Sequence, residues 1–142
     1  MQSQEMVSIR IMIVDDHEEA RRSVRSALLG DSRLDVVSEA ANGEEAVKKA
    51  QELRPDIVLL DITLPGMSGI EAATNICAVS PESRIIFVSQ HDSVQTAKDA
   101  LSVGAHGYVV KSDAGRDLLT AIEAAREGRT FTSRAVGACR RT

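Results

Sequence analysis

Five short runs of mainly aliphatic residues alternate with five stretches whose apolar residues recur at helical spacing. That alternation narrows the possible folds more than any other feature of the chain. The runs are Ile9–Val14, Leu34–Ala40, Ile57–Leu60, Arg84–Ser89 and residues 108–110. In the third, Ile57-Val58-Leu59-Leu60 is wholly apolar, stops at Asp61, and is followed by Pro65-Gly66. An unbroken apolar run reads as a strand buried on both faces, as in a parallel sheet. The second run is more polar and reads as an edge strand. The alternation predicts an α/β fold: a doubly wound five-stranded parallel sheet with helices on both faces. The flavodoxin-like strand order 2-1-3-4-5 puts strands one and three side by side.

Cap and stop signals frame the helices. Asp16 with Glu19, Asn42 with Glu45, and Ser68 with Glu71 have capping spacing, and Asp113 opens the last helix. Gly30, Pro55, Pro81, Gly104 and Gly128 close them. The expected inward stripes are Ala20, Val24, Ala27 and Leu28; Ala46, Val47, Ala50 and Leu53; Ile70, Ala73 and Cys77; Val94, Ala97 and Leu101; and Leu118, Leu119, Ile122 and Ala125.

Aromatics make up only 2% of the chain, so Ile, Val, Leu and Ala must build the core. No apolar run approaches the roughly 20 residues of a membrane span, and residues 1–8 lack the pattern of a secretory signal. Cys77 and Cys139 have neither disulfide-framework nor metal-ligand spacing, which reads as two reduced thiols in a cytoplasm. The net charge of −4 argues against nucleic-acid contact by the domain itself. The charge is uneven: residues 129–142 hold four arginines and no acid, so the first 128 residues carry −8.

Parallel strands share one direction, so their C-terminal ends share one rim. That rim receives Asp15 and Asp16, Asp61, Ser89 and Lys111. Three neighbouring carboxylates repel one another. A hard divalent cation relieves this, and Mg2+ commonly uses one or two carboxylates together with a phosphate. The cluster therefore predicts a Mg2+ site made for a phosphoryl ligand, with Lys111 as a point charge and Ser89 as a hydrogen-bond donor to it. Taken singly, each residue has a plainer reading: Asp16 a helix cap, Asp61 a turn residue, Ser89 a strand-end hydroxyl, Lys111 a solvated cation.

Four segments carry a resemblance: Ile13-Val14-Asp15-Asp16, Leu60-Asp61-Ile62-Thr63-Leu64-Pro65-Gly66-Met67-Ser68-Gly69, Val88-Ser89, and Gly107-Tyr108-Val109-Val110-Lys111. Together they resemble a response-regulator receiver domain, the phosphoryl-accepting half of two-component signalling. Val14-Asp15-Asp16-His17 and the Lys111-Ser112-Asp113 ending are similar to the NarL/FixJ-like class, whose members usually carry a LuxR-type helix-turn-helix after the receiver. The resemblance sets a receiver over residues 9–128, an N-terminal extension over 1–8, and a basic C-terminal tail or truncated linker over 129–142.

It also implies roles. Asp61 is the phosphoacceptor, taking a phosphoryl group from a sensor histidine kinase. Asp16, Asp61 and the Thr63 carbonyl hold Mg2+, with Asp15 acting through water. Lys111 holds the phosphoryl group, Ser89 is the switch hydroxyl, and Tyr108 is the switch aromatic that turns inward. Such a domain assists its own phosphotransfer and autodephosphorylation without being an enzyme in the ordinary sense. Thr63 and His91 flank the path of an attacking water and tune the lifetime of the acyl phosphate. The face made by the fourth helix, strand five and the last helix is the candidate contact for a homodimer.

The chain departs from the commonest pattern in having Ser112, where many receivers have proline after the lysine. Two other readings stay open on the sequence. One is a stand-alone receiver acting by protein contact or phosphorelay. The other is an aspartyl-phosphate hydrolase of the haloacid-dehalogenase type, though that family places a second Asp where Thr63 stands. A dinucleotide-binding domain is disfavoured because no Gly-rich loop follows strand one.

Overall fold

A computed structural model describes residues 8–136. The elements, in chain order, are β1 (Ile9–Val14), α1 (Glu18–Leu28), β2 (Leu34–Ala40), α2 (Gly43–Leu53), β3 (Ile57–Leu60), α3 (Gly69–Val79), β4 (Arg84–Ser89), α4 (Val94–Leu101), β5 (Gly107–Val110), α5 (Ala114–Arg126) and β6 (Phe131–Thr132). One 3₁₀ turn, Lys111–Asp113, joins β5 to α5. The sheet is parallel throughout, in the order β2-β1-β3-β4-β5-β6. The five-strand core and its order are as expected from the sequence. Polar β2 lies at one edge.

The sheet has six strands rather than five. Residues 131–132 pair with β5, Gly107 opposite Phe131 and Tyr108 opposite Thr132. Ser133, just beyond, is buried. Two residues carry no periodicity, so nothing in the sequence marks Phe131-Thr132 as a strand. The remainder of the expected tail, residues 137–142 with Cys139, and residues 1–7 lie outside the described residues.

Side chains of the central strands point alternately into two cores. Met12, Val14, Val58, Leu60, Phe87 and Tyr108 meet α2, α3 and α4, which answer with small residues: Ala46, Ala50, Ala72, Ala73, Ala97 and Ala100. Ile11, Ile13, Leu59, Ile86 and Val109 meet α1 and α5 through Val24, Leu28, Leu118 and Ile122. Leu53 departs from its expected stripe and is exposed at the end of α2. There Arg54 takes a left-handed conformation and turns the chain outward.

Two of the three side-chain caps that form, at Asn42 and Ser68, are those read from the sequence; the third, at Ser93, is not. Asn42 accepts from the Glu45 N–H at 2.8 Å, Ser68 from Glu71 at 3.1 Å, and Ser93 from Thr96 at 3.2 Å. Asp16 does not cap α1. Extended His17 occupies the cap position without a side-chain bond, which leaves the Asp16 carboxylate free to face the rim. Asp113 likewise makes no side-chain cap, because the 3₁₀ turn precedes α5. No helix among the described residues is long and apolar enough to cross a membrane.

Gly69 begins α3 where that helix passes under the β3 exit. Its N–H donates to the Ile62 carbonyl at 2.6 Å. A Cβ there would lie 2.0 Å from the carbonyl oxygen of Asp61 and 2.6 Å from the Ile62 Cα. Both neighbours are backbone and cannot swing aside. Gly69→Ala is therefore expected to lower stability by about 2 kcal/mol or more, in the upper part of the range for overpacking. A urea unfolding midpoint unchanged from wild type would contradict this packing.

Candidate functional site

The rim over β1, β3 and β5 gathers the charged residues. Asp15 and Asp61 are both buried, 3% and 6% exposed. The Lys111 ammonium lies between them, donating to Asp15 Oδ2 at 2.7 Å and to Asp61 Oδ2 at 3.2 Å. β1 and β3 are neighbours, so the two acids leave the sheet side by side. Lys111 arrives from beyond β4, and its long flexible stem spans that strand.

The other oxygens are also engaged. Asp15 Oδ1 accepts from the His17 N–H at 2.9 Å, and Asp61 Oδ1 from the Thr63 N–H at 3.3 Å. Burial pushes the Asp61 carboxyl above the usual carboxylate range. The Lys111 charge opposes that shift and the Asp15 charge adds to it. Burial alone would pull the Lys111 ammonium down. The bonds and charges of Asp15 and Asp61 outweigh it and hold the ammonium above an ordinary lysine.

Asp16 is more exposed and lines a cleft of about 320 Å3 with His17, Asp61, Thr63, Leu64, Pro65, Gln90 and Lys111. Ligand atoms of Asp15, Asp16 and His17 lie within 4.8 Å of one another, and the His17 Nδ1 is 3.1 Å from Asp16 Oδ1. Carboxylate oxygens and a backbone carbonyl at the mouth of a polar cleft are the donors a hard divalent cation prefers.

Ser89 is fully buried at the tip of β4, and its Oγ accepts from the His91 N–H at 3.1 Å. Tyr108 is also fully buried and already turned inward, its hydroxyl donating to the His91 carbonyl at 2.9 Å. Burial pushes its phenol up. Thr63, which lines the cleft, is hydrogen-bonded through Oγ1 to His91 Nε2 at 3.1 Å. His91 thus touches Ser89, Tyr108 and Thr63 with three different groups. The peptide Lys111–Ser112 is not cis, nor is any other among the described residues.

One contributor escaped the sequence reading. Arg21 on α1 donates to the Asp15 carbonyl at 2.6 Å and to Glu39 Oε1 on β2 at 2.9 Å. Arg25 also pairs with Glu39. This ties the β1–α1 loop, which carries two of the three acids, to the neighbouring strand. Only the register of β2 on β1 brings Glu39 there, and that register slips between Ile11 and Met12.

Comparison with known proteins gives a consistent answer. The family profile described as the response regulator receiver domain matches residues 11–123. The response regulator protein VraR of Staphylococcus aureus is 33% identical over 122 residues, covering 86% of this chain and 58% of VraR. The chain thus spans little more than half the length of that curated relative. Among solved structures, a LuxR-family two-component response regulator from Aurantimonas sp. SI85-9A1 is 39% identical with a TM-score of 0.86, over 92% of this chain and 93% of that one. The receiver domain of the response regulator NarL from Mycobacterium tuberculosis is 30% identical with a TM-score of 0.80, over 86% and 98%. The CheX–CheY–BeF3–Mg complex of Borrelia burgdorferi contains a chain 29% identical with a TM-score of 0.80, over 89% and 95%. With acids from β1 and β3 and a lysine from β5 meeting at one rim, and with these relatives, the chain belongs to the receiver domains of two-component response regulators, in the company of LuxR- and NarL-type members.

Proposed function

We propose that this receiver is a phosphoryl-accepting switch in which Asp61 takes a phosphoryl group from a sensor histidine kinase. The observation that carries the reading is the Lys111 ammonium bound to both Asp15 and Asp61 beside an open cleft. A carboxylate oxygen of Asp61 attacks phosphorus, and the bond from phosphorus to the donor imidazole nitrogen breaks. Such transfer depends mostly on positioning and charge neutralisation. Lys111 is placed to follow the incoming phosphoryl oxygens, since its partner Asp61 becomes their carrier. Asp16, Asp61 and the Thr63 carbonyl would hold Mg2+. Asp15, with one oxygen on Lys111 and the other on the His17 N–H, would act through water. When bound, the ion would neutralise phosphoryl oxygens that the single ammonium at the site cannot balance alone. A Mg-containing receiver complex among the similar structures supports the assignment.

Ser89 turning toward the phosphoryl group would release the His91 N–H and disturb the segment to which Tyr108 is tied. Tyr108 is inward before any such step, so the change expected at Tyr108 is in its bond to His91 rather than a swing into the core. The face of α4, β5 and α5 then carries the change to a second copy or a following domain. The Thr63–His91 bond closes one side of the cleft and would limit the approach of hydrolytic water. Regulation of an output, transcription where a DNA-binding domain follows the receiver, is the matching proposal.

Asp61→Asn is expected to abolish labelling by acetyl phosphate with Mg2+, read by intact-protein mass spectrometry; full labelling of the variant would overturn the assignment. Asp16→Ala should weaken Mg2+ binding at least about tenfold, the usual scale for a lost ligand or its support. Titration followed by amide shifts checks this, and equal affinity would move the site elsewhere. The raised Asp61 sets a pH signature. Its ionisation costs stability as pH rises through the ordinary carboxylate range and on past its raised value, and costs nothing below that range. Asp61→Asn should therefore melt higher than wild type at neutral pH. The gap should shrink as pH falls through the carboxylate range, as thermal melts across that interval would show.

A further inference from the structure

Ser133 lies beyond the last helix, yet its side chain is 2% exposed against the edge of β5. Its hydroxyl accepts from the Val110 N–H at 3.1 Å and donates to Asp117 Oδ2 at 2.9 Å. Its own N–H donates to the Tyr108 carbonyl at 2.9 Å. Asp117 is buried on α5, and its second oxygen accepts from Arg116 Nε at 3.2 Å. Regular pairing of β5 with β6 ends at Tyr108 opposite Thr132. The next outward-facing amide of β5, that of Val110, has no strand partner, and a buried N–H left unpaired is costly. The Ser133 hydroxyl supplies the missing acceptor. That N–H belongs to the Val109–Val110 peptide, so one side chain from after α5 fixes the last peptide of β5, one residue before the site lysine.

We infer that Ser133, backed by Asp117, is a positioning residue for Lys111, and that segment 131–133 is coupled through β5 to the occupancy of the phosphoryl site. This rests on the role assigned above to Lys111. Without the hydroxyl, the Val109–Val110 peptide loses its restraint on the outer side, and the Lys111 backbone that follows it no longer starts from one fixed point. Small misplacements of a binding group are expensive in affinity and rate. Coupling of binding events is reciprocal. The factor by which the clasp favours a phosphoryl-like ligand is the factor by which that ligand tightens the clasp.

The test uses the whole chain with Mg2+ and beryllofluoride as the probe. Ser133→Ala should weaken beryllofluoride binding about tenfold in molecules that circular dichroism shows to be folded, the lower end of what misplacement costs. Asp117→Asn, which keeps an oxygen for the Ser133 hydroxyl, should lose less than Asp117→Ala. A merely structural role would reduce the folded fraction and leave the affinity of the folded molecules unchanged, and that result overturns the inference. In the wild type, beryllofluoride should slow hydrogen exchange at the Val110 and Ser133 amides. Unchanged exchange there also overturns it, and this measurement decides the matter if Ser133→Ala fails to fold. A wild type that binds no beryllofluoride sinks the Asp61 reading together with this one. Equal binding by wild type and folded Ser133→Ala sinks this one alone.

Discussion

The structure turns on a single ammonium shared by two buried carboxylates. Without it, two buried acids would stand side by side with no opposite charge between them. The arrangement is available only because three parallel strands end at one rim, with β1 against β3 and β5 separated from β3 by β4 alone. A strand order that set β5 further from β3 would put the lysine stem out of reach. The charge cluster and the topology therefore constrain each other. The sheet makes the rim, and the rim leaves the central strands only short apolar bodies to bury.

Much of this was legible because apolar runs and charges fall at opposite ends of the same segments. Ile57–Leu60 announces a buried strand, and Asp61 announces where it surfaces. Capping pairs such as Asn42–Glu45 and Ser68–Glu71 act within four residues, so local sequence suffices to find them. What escaped depends on distant partners. Asp16 has capping spacing, but its side chain lines the cleft, and an uncapped His17 takes the helix end instead. Arg21 reads as one more basic residue on α1 until β2 delivers Glu39 beside it. Phe131-Thr132 is too short for any period, and it is a strand only because β5 offers it an edge.

Rigidity is unevenly distributed around Asp61. On one side, α3 is pressed against the Asp61 backbone with no room for a methyl group at Gly69. Alanines from α2, α3 and α4 let those helices approach the sheet closely. On the other side, Ser89, His91, Tyr108 and Ser133 are linked by individual hydrogen bonds. Backbone contact resists displacement, whereas a chain of single bonds can rearrange link by link. Movement initiated at Asp61 has its low-resistance path toward β5.

The burial of Tyr108 has an optical corollary. The chain contains one tyrosine and no tryptophan, so native ultraviolet emission arises from this one ring. Its hydroxyl is attached to the His91 carbonyl and its ring is sealed within the sheet face. The protein thus carries an intrinsic fluorophore at the junction of β4 and β5, with no competing emitter and no need for a label. Quenching, lifetime and anisotropy of that emission would follow the junction in real time in the unmodified molecule.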